Sequence, residues 1–307
     1  MKCEILHTSR GSVEVSTYGQ NIHGNGPHGN GPYGNSTPLL YIHGGQGNCH
    51  ETLFHKGFDT GKYYLITPSR PGYGHTPLLA TTTPRTTADL FVALLDELNI
   101  DRAVVVGISA GGPAALELAA HYPDRVSALL LVSAVTKEWL TPDNPRYRKG
   151  KLLFNQTMEK YSWGLFRGLY RLLPRLMAKT MFAEFSSINQ AAISKEEIAE
   201  LYGVVSKLRS YAGFMVDLDQ RVSRETVARV QVPTLILHSI NDAAVDLEHA
   251  LYANSLIRGS ALRTYNNKWG HMLWLGPESA EPIRDAVAFL EQVNRDEQKT
   301  RSNYPIQ

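Results

Sequence analysis

Ala103-Val-Val-Val-Gly-Ile-Ser-Ala-Gly-Gly112 is the stretch from which the rest of the chain is read. Residues 103–108 are uncharged and rich in β-branched side chains, the pattern of a strand buried on both faces of a parallel sheet. Gly111 to His121 then reads as a helix. Ser109 therefore falls on a strand-to-helix turn, between Gly107 and Gly111. A turn that sharp needs small neighbours, because bulkier side chains would strike the adjoining strand and helix backbone. The helix that follows points its amide dipoles at the turn, which favours developing negative charge. Pro113 falls in its first turn, where a missing N–H is tolerated.

Working downstream, a serine hydroxyl needs a base, and a base needs a carboxylate to fix its tautomer. His271, in Trp269-Gly-His-Met272, follows the last apolar strand and is the candidate base. Asp242 lies just past the strand at 234–237 and is the candidate carboxylate; Asp246 and Glu138 are its rivals. Working upstream, His43-Gly-Gly-Gln-Gly47 follows an early strand, and its glycines allow close backbone approach to a substrate. An acyl-transfer site needs two donors for an oxyanion. The Ala110 amide is one candidate and the Gly45 or Gln46 amide the other. Of the other histidines, His121 reads as surface and His238 as packed, while His50 and His55 are ambiguous.

Apolar strands at 11–18, 38–42, 63–67, 103–108, 128–135, 232–237 and 261–265 alternate with helices at 86–98, 111–121 and 277–292. That alternation predicts an α/β fold with a doubly wound, mostly parallel sheet. Thr86 or Thr87 is read as the cap of the first helix. Between Thr136 and Val230 the strands stop, and helical stretches occupy 147–161, 163–182, 195–209 and 211–223. Ser194-Lys-Glu-Glu197 opens one of them as a capping box. The expected organisation is a core of residues 1–135 and 231–307 with an all-helical cap at 136–230 inserted. The cap is expected to set the substrate. Trp163, Phe166 and Tyr170, with Trp269 and Met272 beside the base, either pack cap on core or line an apolar acyl pocket. The polar tail from Asp296 to Gln307 reads as unordered.

With 31 basic and 29 acidic residues, the formal net charge is +2, which gives no reason to expect nucleic acid or an anionic membrane as a partner. Cys3 and Cys49 make no disulfide framework and fit free thiols in a reducing compartment. The N-terminus lacks a signal-peptide core, and no run approaches a membrane span. A cytoplasmic protein acting on a small molecule is the expectation. The segment from His23 to Asn35 repeats His-Gly-Asn-Gly-Pro twice and starts a third copy. Its composition predicts a surface loop, and no carboxylate or cysteine joins His23 and His28 to make a metal site.

Taken together, His43-Gly-Gly, Arg70-Pro-Gly-Tyr-Gly74, Gly107-Ile-Ser-Ala-Gly111, Asp242 and Gly270-His271 resemble the α/β-hydrolase superfamily, as does Ala119-Ala-His-Tyr-Pro-Asp-Arg-Val126. The likeness spans residues 11–293 and implies a cofactor-free serine hydrolase with a Ser–Asp–His triad in that chain order. Gln46 stands where the similar proline iminopeptidases carry a proline, and Ala110 where they tend to carry a tryptophan. The loop is not the His-Gly-Gly-Gly of hormone-sensitive-lipase-like esterases. A serine nucleophile sets the chain apart from epoxide hydrolases, haloalkane dehalogenases and dienelactone hydrolases. The resemblance implies a carboxylesterase first. A carbon–carbon bond hydrolase, lactonase, aminopeptidase or cofactor-free peroxidase on the same triad, or a hydrolase-like receptor, are the alternatives. Natural substrate and oligomeric state stay open.

Overall fold

Among the described residues eight strands form one sheet: β1 (Cys3–Thr8), β2 (Gly11–Tyr18), β3 (Thr37–Ile42), β4 (Tyr63–Pro68), β5 (Ala103–Ile108), β6 (Val126–Val132), β7 (Thr234–Ser239) and β8 (Ala261–Tyr265). The computed structural model describes residues 2–19, 36–189 and 191–303, with side chains to 299. The sequence repeat at 23–35 lies outside the described residues. Strand order is β1-β2-β4-β3-β5-β6-β7-β8, antiparallel at β1/β2 and β2/β4 and parallel from β4 to β8. Chain order reverses between β3 and β5, and a crevice at the carboxyl ends of the strands is expected at such a switch.

Alternate residues of each central strand feed opposite cores, as the two-residue period of a strand requires. Ala103 and Val105 of β5 join Leu40, Leu129 and Ile236 under α1 (Pro84–Glu97), α2 (Gly112–His121) and, later in the chain, α9 (Glu248–Leu256). Val104, Val106 and Ile108 join Tyr41, Leu130 and Leu237 on the other face, against α10 (Ala280–Asn303).

Among the described residues six helices separate β6 from β7: α3 (Pro145–Leu153), α4 (Glu159–Leu172), α5 (Pro174–Phe185), α6 (Lys195–Val205), α7 (Gly213–Asp219) and α8 (Arg224–Arg229). The sequence reading joins α4 and α5 into one helix; Pro174 divides them, with Leu173 at φ −132° and ψ 58°, outside the helical region that a following proline disfavours. It likewise runs α3 to 161, where Asn155 instead accepts from the Thr157 and Met158 amides and ends the run. The Ser194–Glu197 capping box forms as expected. The first helix starts earlier than expected, capped by Thr83 with Thr86 answering, because Pro84 suits its first position.

Three further expectations are corrected. The N-terminus forms β1, a half-exposed edge strand paired with β2 from Cys3↔Ser16 to Thr8↔Gly11. That pairing carries Cys3 to Cys49, 46 residues away, and the two form a disulfide rather than free thiols. Ser16 helps hold the second cysteine, its hydroxyl donating to the Cys49 carbonyl. The free-thiol argument for a reducing compartment therefore does not apply. Finally, the polar tail is helical to Asn303, tied down where Asn294 reaches Thr37 (3.0 Å) and Arg102 pairs with Glu297 (3.1 Å). Among the described residues no helix is long and apolar enough to cross a membrane.

Candidate active site

Ser109 stands at the end of β5 with φ +48°, a left-handed conformation that throws its side chain up at the strand-to-helix turn. The flanking glycines are sterically required. A Cβ on Gly107 would lie 2.5 Å from Ala115 Cβ, and one on Gly111 would lie 2.2 Å from the Ile42 carbonyl oxygen. The turn is fastened from the other side by Val135, whose amide donates to the Ser109 carbonyl (2.9 Å).

His271 reaches this serine from the loop after β8. Its Nε2 lies 3.0 Å from Ser109 Oγ, and its Nδ1 lies 2.8 Å from Asp242 Oδ2. All three side chains are buried. Asp242 Oδ1 accepts from the Ala244 and Val245 amides, which fixes the carboxylate plane. Burial works to raise the Asp242 carboxyl, but the His271 charge and hydrogen bond, with His238 and the Val245 amide, outweigh it and hold it below the ordinary carboxylate range. The rivals are elsewhere: Glu138 pairs with Arg221, and no described hydrogen bond joins Asp246 to His271. His238 is buried as read, donating Nε2–H to the Val245 carbonyl.

The two loops bearing Asp242 and His271 are stitched together by the end of α5, which sequence reasoning missed. The Phe185 carbonyl accepts from both the His271 and Ala243 amides (2.9 and 3.1 Å), and Ser186 bridges to Asp242. The Phe185 ring stacks on the His271 imidazole at 6.0 Å and 22°. Gly270 permits this passage, since a Cβ there would meet the Phe185 carbonyl oxygen at 2.4 Å.

The loop after β3 packs against the serine, a Gly44 Cβ lying only 3.0 Å from Ser109 Cβ. His43 is buried and neutral: burial and the nearby Arg70 charge press its pKa well down, against the pull of its bond to Gly44. Nδ1–H donates to the Gly44 carbonyl, and Nε2 accepts from the Arg70 amide. The Arg70 guanidinium donates to the same Gly44 carbonyl (3.1 Å) and pairs with both oxygens of Asp217 at 2.6 and 2.7 Å. Tyr73, kept protonated by burial and by Asp217, donates to that carboxylate (2.5 Å) and accepts from the Gln46 amide (3.4 Å). Gln46 holds a φ of +69°. Its carbonyl accepts from the Arg209 amide, and its side chain accepts from Ser210, which itself accepts from Trp163 Nε1. The Gly45 amide donates to none of the described residues. Arg70 and Tyr73 stood in a noted motif without a role; Asp217, an ordinary polar residue in a helical stretch, and Ser210, between two such stretches, carried no sequence signal.

The five residues proposed for a pocket are chiefly anchors. Trp163, Tyr170 and Trp269 are buried, and their polar tips are spent on Ser210, the Ile198 carbonyl and Glu197. Phe166 is half-buried against Trp163, and Met272 is buried beside the base.

Comparison with known proteins agrees with this fold. A family model described as alpha/beta hydrolase fold matches residues 37–275. The chain is 40% identical over 261 residues to an uncharacterized hydrolase, YcgS, of Bacillus subtilis (strain 168), covering 83% of this chain and 92% of that one. Among solved structures it resembles an alpha/beta hydrolase fold protein from Nakamurella multipartita (TM-score 0.72, 26% identity, covering 94% and 99% of the two chains). It shares the fold of a putative aryl esterase from Burkholderia cenocepacia (TM-score 0.69, 19% identity, covering 96% and 100%). The strand order, the strand-end loops and these matches lead to one assignment: the chain belongs to the α/β-hydrolase family and is a hydrolase.

Proposed function

We propose that the chain is a serine hydrolase that cleaves a carboxylic ester, or a similar acyl bond, of a small and modestly apolar substrate. The observation that carries this is the buried relay from Ser109 Oγ through His271 to Asp242, at 3.0 and 2.8 Å. Asp242 accepts a hydrogen bond from His271 Nδ1–H, which fixes the tautomer whose Nε2 is free to take the serine proton. Ser109 Oγ attacks the carbonyl carbon as His271 takes its proton. The carbonyl oxygen becomes an oxyanion, held by the Ala110 amide and a second amide from the His43 loop. Gly45 is our choice for that second donor, since the Gln46 amide is engaged by Tyr73. His271 then returns the proton to the departing alcohol. Water, activated by the same imidazole, releases the acid and restores Ser109.

Residues 136–230 act as the cap, reaching the site with Phe185 and Phe214; a Gly45 Cβ would lie 3.4 Å from the Phe214 ring. Both neighbours are aromatic, which supports an apolar acyl group. A panel of p-nitrophenyl esters of increasing acyl length, beside the matching anilides, tests the reading. Ester turnover that drops by a factor on the order of 10⁴ or more in Ser109→Ala is expected. A variant that keeps the parent's rate on every ester contradicts it.

A further inference from the structure

The net charge of +2 hides a strong local imbalance. Residues 145–185, which hold α3, α4 and α5, carry nine basic and two acidic side chains, leaving 22 basic and 27 acidic in the rest of the chain. Both acids are already engaged: Glu159 is buried against Arg209, and Glu184 pairs with Lys149. Among the described residues no acidic side chain pairs with Lys160, Arg171, Arg175 or Lys179, all exposed.

The same helices are apolar on both sides. Inward, Trp163, Tyr170, Met177, Ala178 and Phe182 fill the core. Outward, Tyr161 (68% exposed), Leu165 (67%), Leu172 (77%), Leu173 (50%) and Leu176 (57%) stand in water. On α4, positions 161, 165 and 172 share one face of the helix, with Lys160 and Arg171 along its flank. The break at Pro174 carries the stripe onto α5, where Arg175 and Lys179 continue the flank. Isolated exposed leucines need no explanation, but a run of this length beside unpaired cations does.

We propose that this outer face of α4 and α5 docks on an anionic lipid surface. Apolar side chains entering the acyl boundary, beside lysines and arginines at the headgroups, are the composition that binds such surfaces. Tyr161, with an apolar ring and a polar tip, suits the headgroup level. Charge argues against a second copy as the occupant: a two-fold pairing would set the same excess of seven positive charges against itself.

Co-sedimentation of the full chain with vesicles tests this. Phosphatidylcholine vesicles with about one-third phosphatidylglycerol should carry the protein down, and pure phosphatidylcholine should not. Salt at about 0.5 M should release much of it. Leu172→Ser/Leu176→Ser and Arg175→Glu/Lys179→Glu should each weaken binding about tenfold or more while leaving far-ultraviolet circular dichroism unchanged. Absent or charge-independent vesicle binding, or binding that neither pair weakens, overturns the proposal. So does self-association in sedimentation velocity that Leu172→Ser/Leu176→Ser abolishes without any vesicle binding, which would make a second copy the occupant.

Discussion

Toward the sheet, the helices between β6 and β7 bury charge; away from it they expose hydrocarbon. The inward contacts include Asp217 with Arg70, Glu159 with Arg209, and the Trp163–Ser210–Gln46 chain. The outward face offers Leu165, Leu172 and Leu176. This reverses the usual partition, in which buried charge and exposed apolar runs are the two rarities that need a reason. Inward, the reason is position: these three sets of buried polar groups end on the loop from Gly44 to Gln46, beside Ser109. Outward, nothing among the described residues covers the leucines.

The largest effect should come from the Arg70–Asp217 pair, whose side chains are almost wholly buried. Asp217→Asn leaves a buried guanidinium without its countercharge and should lower stability by about 3–5 kcal/mol in urea denaturation. Replacing both, as Arg70→Met/Asp217→Leu, should recover most of that loss, because apolar residues of similar volume often substitute for a buried pair. The Gly44 carbonyl would still lack its guanidinium donor, so ester turnover should stay low, on the order of a hundredfold down. Full activity in the double variant would show that the pair serves packing alone.

An intermediate effect should come from pH. His55 and His249 are held neutral, their pKa values pressed down to about 4 by burial first and then by nearby Lys207 and Lys137, from an ordinary 6.5. A folded pKa below the unfolded one means the unfolded chain binds more protons between those values. Stability from this source is full above about pH 6.5 and declines as pH falls toward 4, by on the order of 1–2 kcal/mol for each histidine at pH 5. The thermal midpoint should drop over that window, and His249→Asn should flatten the drop. A midpoint independent of pH from 7 to about 4.5 would contradict it.

The smallest effect should be at Phe185, whose ring lies on His271 and whose carbonyl any residue would supply. Phe185→Ala should lower kcat about tenfold, near 1.4 kcal/mol, with the fold retained. An unchanged kcat would mean that the backbone stitch alone positions the base.

These predictions fall where the sequence was hardest to read. Ser109, Asp242 and His271 were legible because each follows a strand whose apolar run is visible, and a strand end fixes where its loop starts. His271 Nε2 lies 3.0 Å from Ser109 Oγ and its Nδ1 lies 2.8 Å from Asp242 Oδ2. Asp217 was not legible, since a helix of mixed polarity does not say which polar residue turns inward. Cys3 and Cys49 were not legible as a pair, because β1 had first to be seen as a strand. The doubly wound sheet emerged from alternation, while the helix limits moved wherever proline or asparagine outweighed apolar spacing. The basic block at 145–185 was hidden because the net charge of +2 is a sum over 307 residues.

Covalent labelling tests the central claim most directly. The chain should gain the mass of one fluorophosphonate adduct, mapping to Ser109 in the peptide that spans Gly107 to Gly111, and Ser109→Ala should gain none. An adduct on another residue, or equal labelling of Ser109→Ala, would contradict the assignment of Ser109 as the nucleophile.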